Sequence, residues 1–331
     1  MRPPRFGRVT LSALLLLSCA LSALDAGCAI GSIARAPASA VEVSPIASLV
    51  PTPSVEPSGS ADASPSPLAT GSADATETTA ALPKPRVARL PRPIAGLPAP
   101  GPSHEVTGPR DLGVPVLMYH VIAVAPRGAR NPDLYVKPGD FVAQMRYLAK
   151  NGYHAVTLQR VYDFWHNGAT LPSKPVVLSF DDGDTPDFTV VAPLLNELHW
   201  PGVLNLIVGR HRPRLKPPIV RALIEAGWEI DSHTVTHTDM PGLPAKQLAF
   251  EIGQSRKLLR RMYRVPVNFF CYPTGRFDAA AVAAVQEAGY LGATTTLGGL
   301  ARPGQPFLMR RVRVSGGESV EYFAYLLSHD R

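Results

Sequence analysis

From about residue 111 onward, short apolar runs alternate with stretches in which apolar positions recur every three or four residues. The runs predict strands at 114–119, 155–158, 176–180, 203–208, 229–231, 268–272, 293–296 and 312–314. The periodic stretches predict helices at 141–150, 190–198, 219–226, 245–263 and 279–288. Gly152, Gly227 and Gly289 stand where a helix should stop before the next strand. Regular strand–helix alternation over this length implies a parallel α/β sheet. If that sheet curls into a barrel, functional residues should gather at the C-terminal ends of its strands.

Upstream the pattern changes twice. Arg2, Arg5 and Arg8 precede the apolar run 11–17, so residues 1–28 read as an export signal. That run is shorter than a membrane span. Cys19 and Cys28 each sit in an imperfect lipoprotein cleavage box, which leaves simple secretion and lipid anchoring both open. Residues 29–110 are rich in Pro, Ala, Ser and Thr without helix or strand period, and are expected to be a disordered or partly polyproline tether. One folded domain is then expected over 111–331. With 3 cysteines in all there is no disulfide framework, and Cys271 reads as a small buried hydrophobe. The net charge of +7 favours anionic surfaces such as cell wall or lipid headgroups. No nucleic-acid motif is present, and Arg256, Lys257, Arg260 and Arg261 read as a solvated helix face.

The chemistry concentrates at strand ends. Ser179-Phe180-Asp181-Asp182-Gly183 closes the third strand, and His233-Thr234-Val235-Thr236-His237 follows the fifth. One Asp with two His can hold a divalent metal and leave positions for water and substrate. The other Asp is then available as a base. Along a strand the two His would lie roughly 13 Å apart, too far to share an ion; so 233–237 should curl at the strand end. His120 follows the first strand and Pro273-Thr274-Gly275 the sixth, on the same expected face. Asp231 and Asp239 read as capping or supporting groups, His154, His166, His199 and His211 as surface or loop. Trp165 and Trp228 read as buried aromatics before sugar platforms.

With these motifs in view, the chain resembles the polysaccharide deacetylase family, the NodB-homology domain of carbohydrate esterase family 4, over roughly residues 114–327. Three motifs carry the resemblance: Ser179-Phe180-Asp181-Asp182-Gly183, the 233–237 His pair, and Tyr272-Pro273-Thr274-Gly275. The opening Met118-Tyr119-His120 is similar to a subgroup that includes poly-β-1,6-N-acetylglucosamine deacetylases. The resemblance implies a distorted (β/α) barrel of about seven strands. It makes Asp181 the catalytic base and Asp182, His233 and His237 the ligands of a divalent metal, usually Zn2+. It makes the backbone N–H of Thr274 the oxyanion donor.

Two departures shape the expectations. No Arg precedes the third motif. Arg310 and Arg311, just before the last strand, are candidates to orient Asp181 as an Arg does in the relatives, with a surface role as the alternative. Leu326-Leu327-Ser328-His329 mimics a late family motif that supplies the acid, yet it falls at the end of a helical pattern; His120 is the expected general acid. The implied activity is metal-dependent removal of N-acetyl groups from an N-acetylhexosamine polysaccharide, an exopolysaccharide or cell-wall glycan. Such an enzyme would be exported: extracellular, periplasmic or anchored to the envelope through a lipidated Cys. An O-acetyl esterase of the xylan type and a non-catalytic glycan-binding module on a cell-wall tether are the alternatives.

Overall fold

A computed structural model describes residues 87–93, 96–209 and 215–329. The expected export signal, most of the expected tether, and His211 lie outside the described residues. No helix among the described residues is long and apolar enough to cross a membrane.

The strands are β1 (Glu105–Val106), β2 (Val116–Tyr119), β3 (His154–Ala155), β4 (Leu171–Pro172), β5 (Pro175–Asp182), β6 (Val203–Leu206), β7 (Glu229–Ser232), β8 (Phe269–Cys271), β9 (Gly292–Thr294) and β10 (Val312–Arg313). The helices are α1 (Pro138–Lys150), α2 (Leu158–His166), α3 (Ala192–Glu197), α4 (Pro217–Glu225), α5 (Ala245–Leu248), α6 (Ser255–Tyr263), α7 (Ala279–Glu287) and α8 (Val320–His329). A π-helical stretch, Ala249–Gln254, joins α5 to α6.

The main sheet runs β10-β2-β5-β6-β7-β8-β9, every pair parallel, with β3 beside the start of β5. It is a curled, incomplete barrel of seven strands, the fold expected from the sequence. The gap is bridged irregularly by one segment. Met309 pairs in parallel with Thr294 at one end of the sheet, and Val312 pairs with Leu117 at the other. Arg311 lies between these two contacts and is thereby carried into the barrel.

Both faces of the sheet are buried, as parallel strands require. On β5, Leu178 and Phe180 join the core beneath the helices, where Phe180 stacks on Tyr119 with ring centroids 5.4 Å apart. Val177 belongs to a second cluster inside the curl with Val116, Val203 and Phe269. By strand alternation Ser179 and Asp181 share the inner face with Val177. Strand β5 therefore delivers Asp181 into the barrel.

Three sequence expectations change here. The expected strand at 155–158 shrinks to β3, because Thr157 caps α2 by accepting a hydrogen bond from Arg160 N at 3.1 Å. The expected helix 245–263 is not α-helical throughout, since Ala249–Gln254 widens to π geometry. The region expected as bare tether also touches the fold: Leu90 and Leu97 pack on the core, and Glu105–Val106 pairs antiparallel with Leu171–Pro172.

Candidate active site

Asp181 is 2% exposed and is held from several sides. Arg311, 1% exposed, donates from Nη1 to Oδ1 at 2.8 Å and from Nη2 to Oδ2 at 2.9 Å. This is the bidentate fork that guanidinium and carboxylate planes allow. Parallel register sets Asn205 opposite Asp181, and its Nδ2 donates to Oδ1 at 2.7 Å. Arg311 is itself aimed by Thr295 O, which accepts from Nε at 2.8 Å. Burial would raise the pKa of Asp181, but the Arg311 guanidinium, with help from His120, holds it well below the usual carboxylate range. It is a fixed anion.

The chain then turns sharply. Asp182 and Gly183 both take positive φ, 75° and 79°. A Cβ on Gly183 would come within 2.6 Å of Leu206 Cδ1, and together with the positive φ this favours glycine here. The turn re-aims Asp182 away from Asp181 and toward the end of β7. There Asp182 Oδ1 lies 3.6 Å from His233 Nε2 and 3.5 Å from His237 Nε2.

His233 is fixed by its other nitrogen. Its Nδ1–H donates to Cys271 O at 2.8 Å, which leaves Nε2 facing Asp182. His237 reaches the same point because the chain curls after β7, as the spacing requires. Thr234 and His237 have φ of 70° and 63°, and His237 N donates to Thr234 Oγ1 at 2.8 Å. The two rings end 4.8 Å apart.

Such left-handed non-glycine residues cost about 1–3 kcal/mol each. A buried carboxylate offsets this: Glu251 accepts from Val235 N at 3.0 Å, Thr236 N at 2.9 Å and Thr236 Oγ1 at 2.6 Å. Hydrogen bonds to a charged group contribute about 1.5–3 kcal/mol each. The sequence motifs give no hint of Glu251.

One carboxylate oxygen and two imidazole nitrogens, all within 4.8 Å of one another, fit a divalent cation with positions to spare. The electrostatics agree. Burial would lower the pKa of His233, but its contact with Cys271 and the charges of Asp181 and Asp182 push it up to about 10. A site that draws a proton this strongly is built for positive charge.

His120, directly after β2, places Nε2 3.8 Å from Asp181 Oδ2. Burial lowers its pKa, and the nearby Asp181 and Asp182 offset only part of that. A cavity of ≈ 300 Å³ is lined by His120, Asp182, Asp184, His237, Arg130 and Tyr135. A larger hollow of ≈ 730 Å³, bordered by Leu248, Arg256 and Glu287, includes none of these site groups.

Comparison with known proteins bears directly on this arrangement. The family model described as polysaccharide deacetylase matches residues 168–293, which contain Asp181, Asp182, His233, His237 and Thr274. YxkH of Bacillus subtilis (strain 168), named after the same family, is 30% identical over 220 residues, covering 65% of this chain and 76% of that protein. The chain belongs to the polysaccharide deacetylase family. The crystal structure of BC0361, a polysaccharide deacetylase from Bacillus cereus, superposes with a TM-score of 0.59 at 30% identity, covering 66% of this chain and 69% of that one. A shorter stretch of 60 residues is 40% identical to the poly-beta-1,6-N-acetyl-D-glucosamine N-deacetylase of Escherichia coli (strain K12). It spans 18% of this chain and 9% of that protein.

Other expected residues fall differently in this deacetylase. Arg311 meets Asp181, whereas Arg310 does not: it is exposed, and its Nη1 donates to Gly298 O at 2.7 Å. Odd and even positions of an extended segment face opposite ways, so only one of the pair can enter the barrel. Thr274 lies in the turn after β8 with φ 57°, and its hydroxyl donates to Asp239 Oδ1 at 2.8 Å. The next residue must be glycine, since a Cβ on Gly275 would overlap Thr296 Oγ1 at 1.9 Å.

Cys271 is buried as expected but is more than filler: its Sγ lies 3.8 Å from Asp181 Oδ2. Asp231 does not support the His pair; it accepts from Phe269 N at 3.1 Å and lies near enough to the Glu229 carboxylate to be raised by its charge. Trp165 and Trp228 are buried, at 6% and 4% exposure, and take no part in the cavity. Arg256, expected on a solvated face, instead donates to Val267 O and Ala288 O. His329 ends α8, whose Phe323 packs against Tyr147 of α1.

Proposed function

We propose that this polysaccharide deacetylase is a metal-dependent hydrolase that removes N-acetyl groups from an N-acetylhexosamine glycan, an exopolysaccharide or a cell-wall polymer. The observation that carries the proposal is the convergence of Asp182, His233 and His237 beside an Arg-held Asp181. A binding module would have no use for a buried, ionised base next to a cation site. The short match to the Escherichia coli enzyme supports an amide over an ester substrate.

A divalent cation held by Asp182, His233 and His237, Zn2+ by the nature of the donors, would polarise the acetyl carbonyl and acidify a water. The protein's own groups supply the rest. Asp181, kept anionic by Arg311, accepts the proton of the attacking water. Its fixed position means that little reorganisation is needed during the reaction. His120, in protonated form, gives a proton to the departing sugar amine; a lowered pKa makes that imidazolium a stronger acid. The backbone N–H of Thr274 is assigned to the developing oxyanion. Arg130 and Tyr135, on the cavity wall, are placed to meet sugar hydroxyls.

The N-terminal composition fits export, with residues 1–28 as the signal, 29–110 as a spacer and 111–331 as the catalytic part, released or held at the envelope through a lipidated Cys. Acetate release should be screened on oligomers of β-1,6- and β-1,4-linked N-acetylglucosamine, peptidoglycan fragments and O-acetylated xylan. Release from an N-acetylated glycan supports the proposal. Release from xylan alone makes the protein an ester hydrolase, and none from any of them favours the binding module.

A further inference from the structure

We propose that Glu251 is a positioning residue for the metal centre, fixing the turn between His233 and His237 so that both Nε2 atoms meet one cation. The proposal rests on Asp182, His233 and His237 being the ligands. Glu251 is 2% exposed, and among the described residues its hydrogen bonds are the three it accepts from Val235 and Thr236. Both donors belong to the segment that separates the two imidazoles. Without Glu251 the backbone N–H of the buried Val235 would lose this acceptor, and Thr236 would lose two of its bonds.

The helix geometry explains how Glu251 reaches the turn. It lies in the π-helical stretch Ala249–Gln254. One inserted residue rotates every later position by about 100° relative to an unbroken α-helix. π-Bulges of this kind are enriched at functional sites. Just beyond the bulge, Ser255 contacts the other flank of the same turn: Ser232 Oγ, on the last residue of β7, donates to Ser255 Oγ at 2.7 Å. Ser255 Oγ in turn donates to Ile252 O at 2.8 Å, inside the bulge. The helix thus grips the residue before His233 and the two residues before His237.

A residue that only stabilised the fold would leave Zn2+ affinity untouched once the protein was folded. The test is therefore Zn2+ affinity by chelator competition on folded wild type, Glu251→Gln, Thr236→Val and His233→Ala, together with the melting temperature of each protein without metal. Glu251→Gln keeps the shape but removes the charge. It should bind Zn2+ about 10–100-fold more weakly, the usual effect of losing a residue that orients ligands, with turnover recovering when Zn2+ is saturating. Thr236→Val removes one of the three bonds and should give a smaller loss of the same kind. A lower metal-free melting temperature with unchanged Zn2+ affinity in Glu251→Gln would overturn the proposal. If that variant does not fold, unchanged affinity in Thr236→Val overturns it instead. Should His233→Ala bind Zn2+ like wild type, the ligand assignment itself fails, a result distinct from either of these.

Discussion

Arg311 grips Asp181 through two parallel hydrogen bonds of 2.8 and 2.9 Å, although 130 residues separate them in sequence. Removing one partner of such a buried pair costs about 3–5 kcal/mol of stability, so Arg311→Ala confounds unfolding with chemistry. Arg311→Lys keeps the charge and loses the fork. We expect it to fold and to lose turnover by about 10–100-fold, within the range of a misplaced base. The sign of the pH effect follows from the depressed pKa of Asp181. Its ionised form is retained as pH falls, and with weaker pairing protonation begins at higher pH. The acidic limb of kcat/KM should therefore move upward in Arg311→Lys. An unmoved limb contradicts Asp181 as the titrating base.

His120 and His329 are the two candidates for the acid, and His120 lines the cavity with Asp182 and His237. His120→Ala should lower turnover by about 10²–10⁴-fold at equal metal occupancy. His329→Ala, or deletion of Ser328 to Arg331, should leave turnover nearly unchanged, because α8 is packed on α1. Kinetics of the variants on one acetylated oligosaccharide decide this, and an inactive His329→Ala reverses the assignment.

Asp231 and the partly buried Glu229 face each other two residues apart on β7. Burial, then the Glu229 carboxylate, pushes Asp231 well above its ordinary pKa; burial also raises Glu229. Groups raised on folding contribute stability that is complete below their unfolded pKa, about 4, and is lost as pH climbs through the raised value. Asp231→Asn replaces the raised carboxyl with a neutral amide at every pH. Its melting temperature relative to wild type should rise steadily with pH. A constant difference across that range argues that the pair does not hold a proton.

How much of this was legible depended on whether chemistry left a mark along the chain. Asp181-Asp182-Gly183 and the His pair are readable because the metal and base chemistry proposed for them needs those residue types at strand ends, and because the turn at Gly183 favours glycine. The alternating apolar runs gave the parallel sheet, since strands buried on both faces read as short continuous apolar runs. Arg311 was visible only as one of two neighbours. Choosing it required the irregular closure through Met309 and Val312, which no spacing announces. Glu251 was invisible, because a π-bulge and contacts 15 and 16 residues away, to Thr236 and Val235, leave no period. Helix α2 hid behind the β-prone Val161, Tyr162, Phe164 and Trp165, and tertiary packing overrode that propensity.

The central claim is that a cation held by Asp182, His233 and His237 works with a separate base, Asp181, to release acetate from an N-acetylated glycan. The most direct measurement is acetate release from a defined N-acetylglucosamine oligomer, with metal content determined on the same samples. Wild type, chelated wild type, chelated wild type given Zn2+, and Asp181→Asn should be compared. The account expects one metal per chain, loss of release on chelation, and recovery with Zn2+. It expects Asp181→Asn to keep its metal while release falls by about 10²–10⁴-fold. Full release after chelation, or full release by metal-loaded Asp181→Asn, would contradict it.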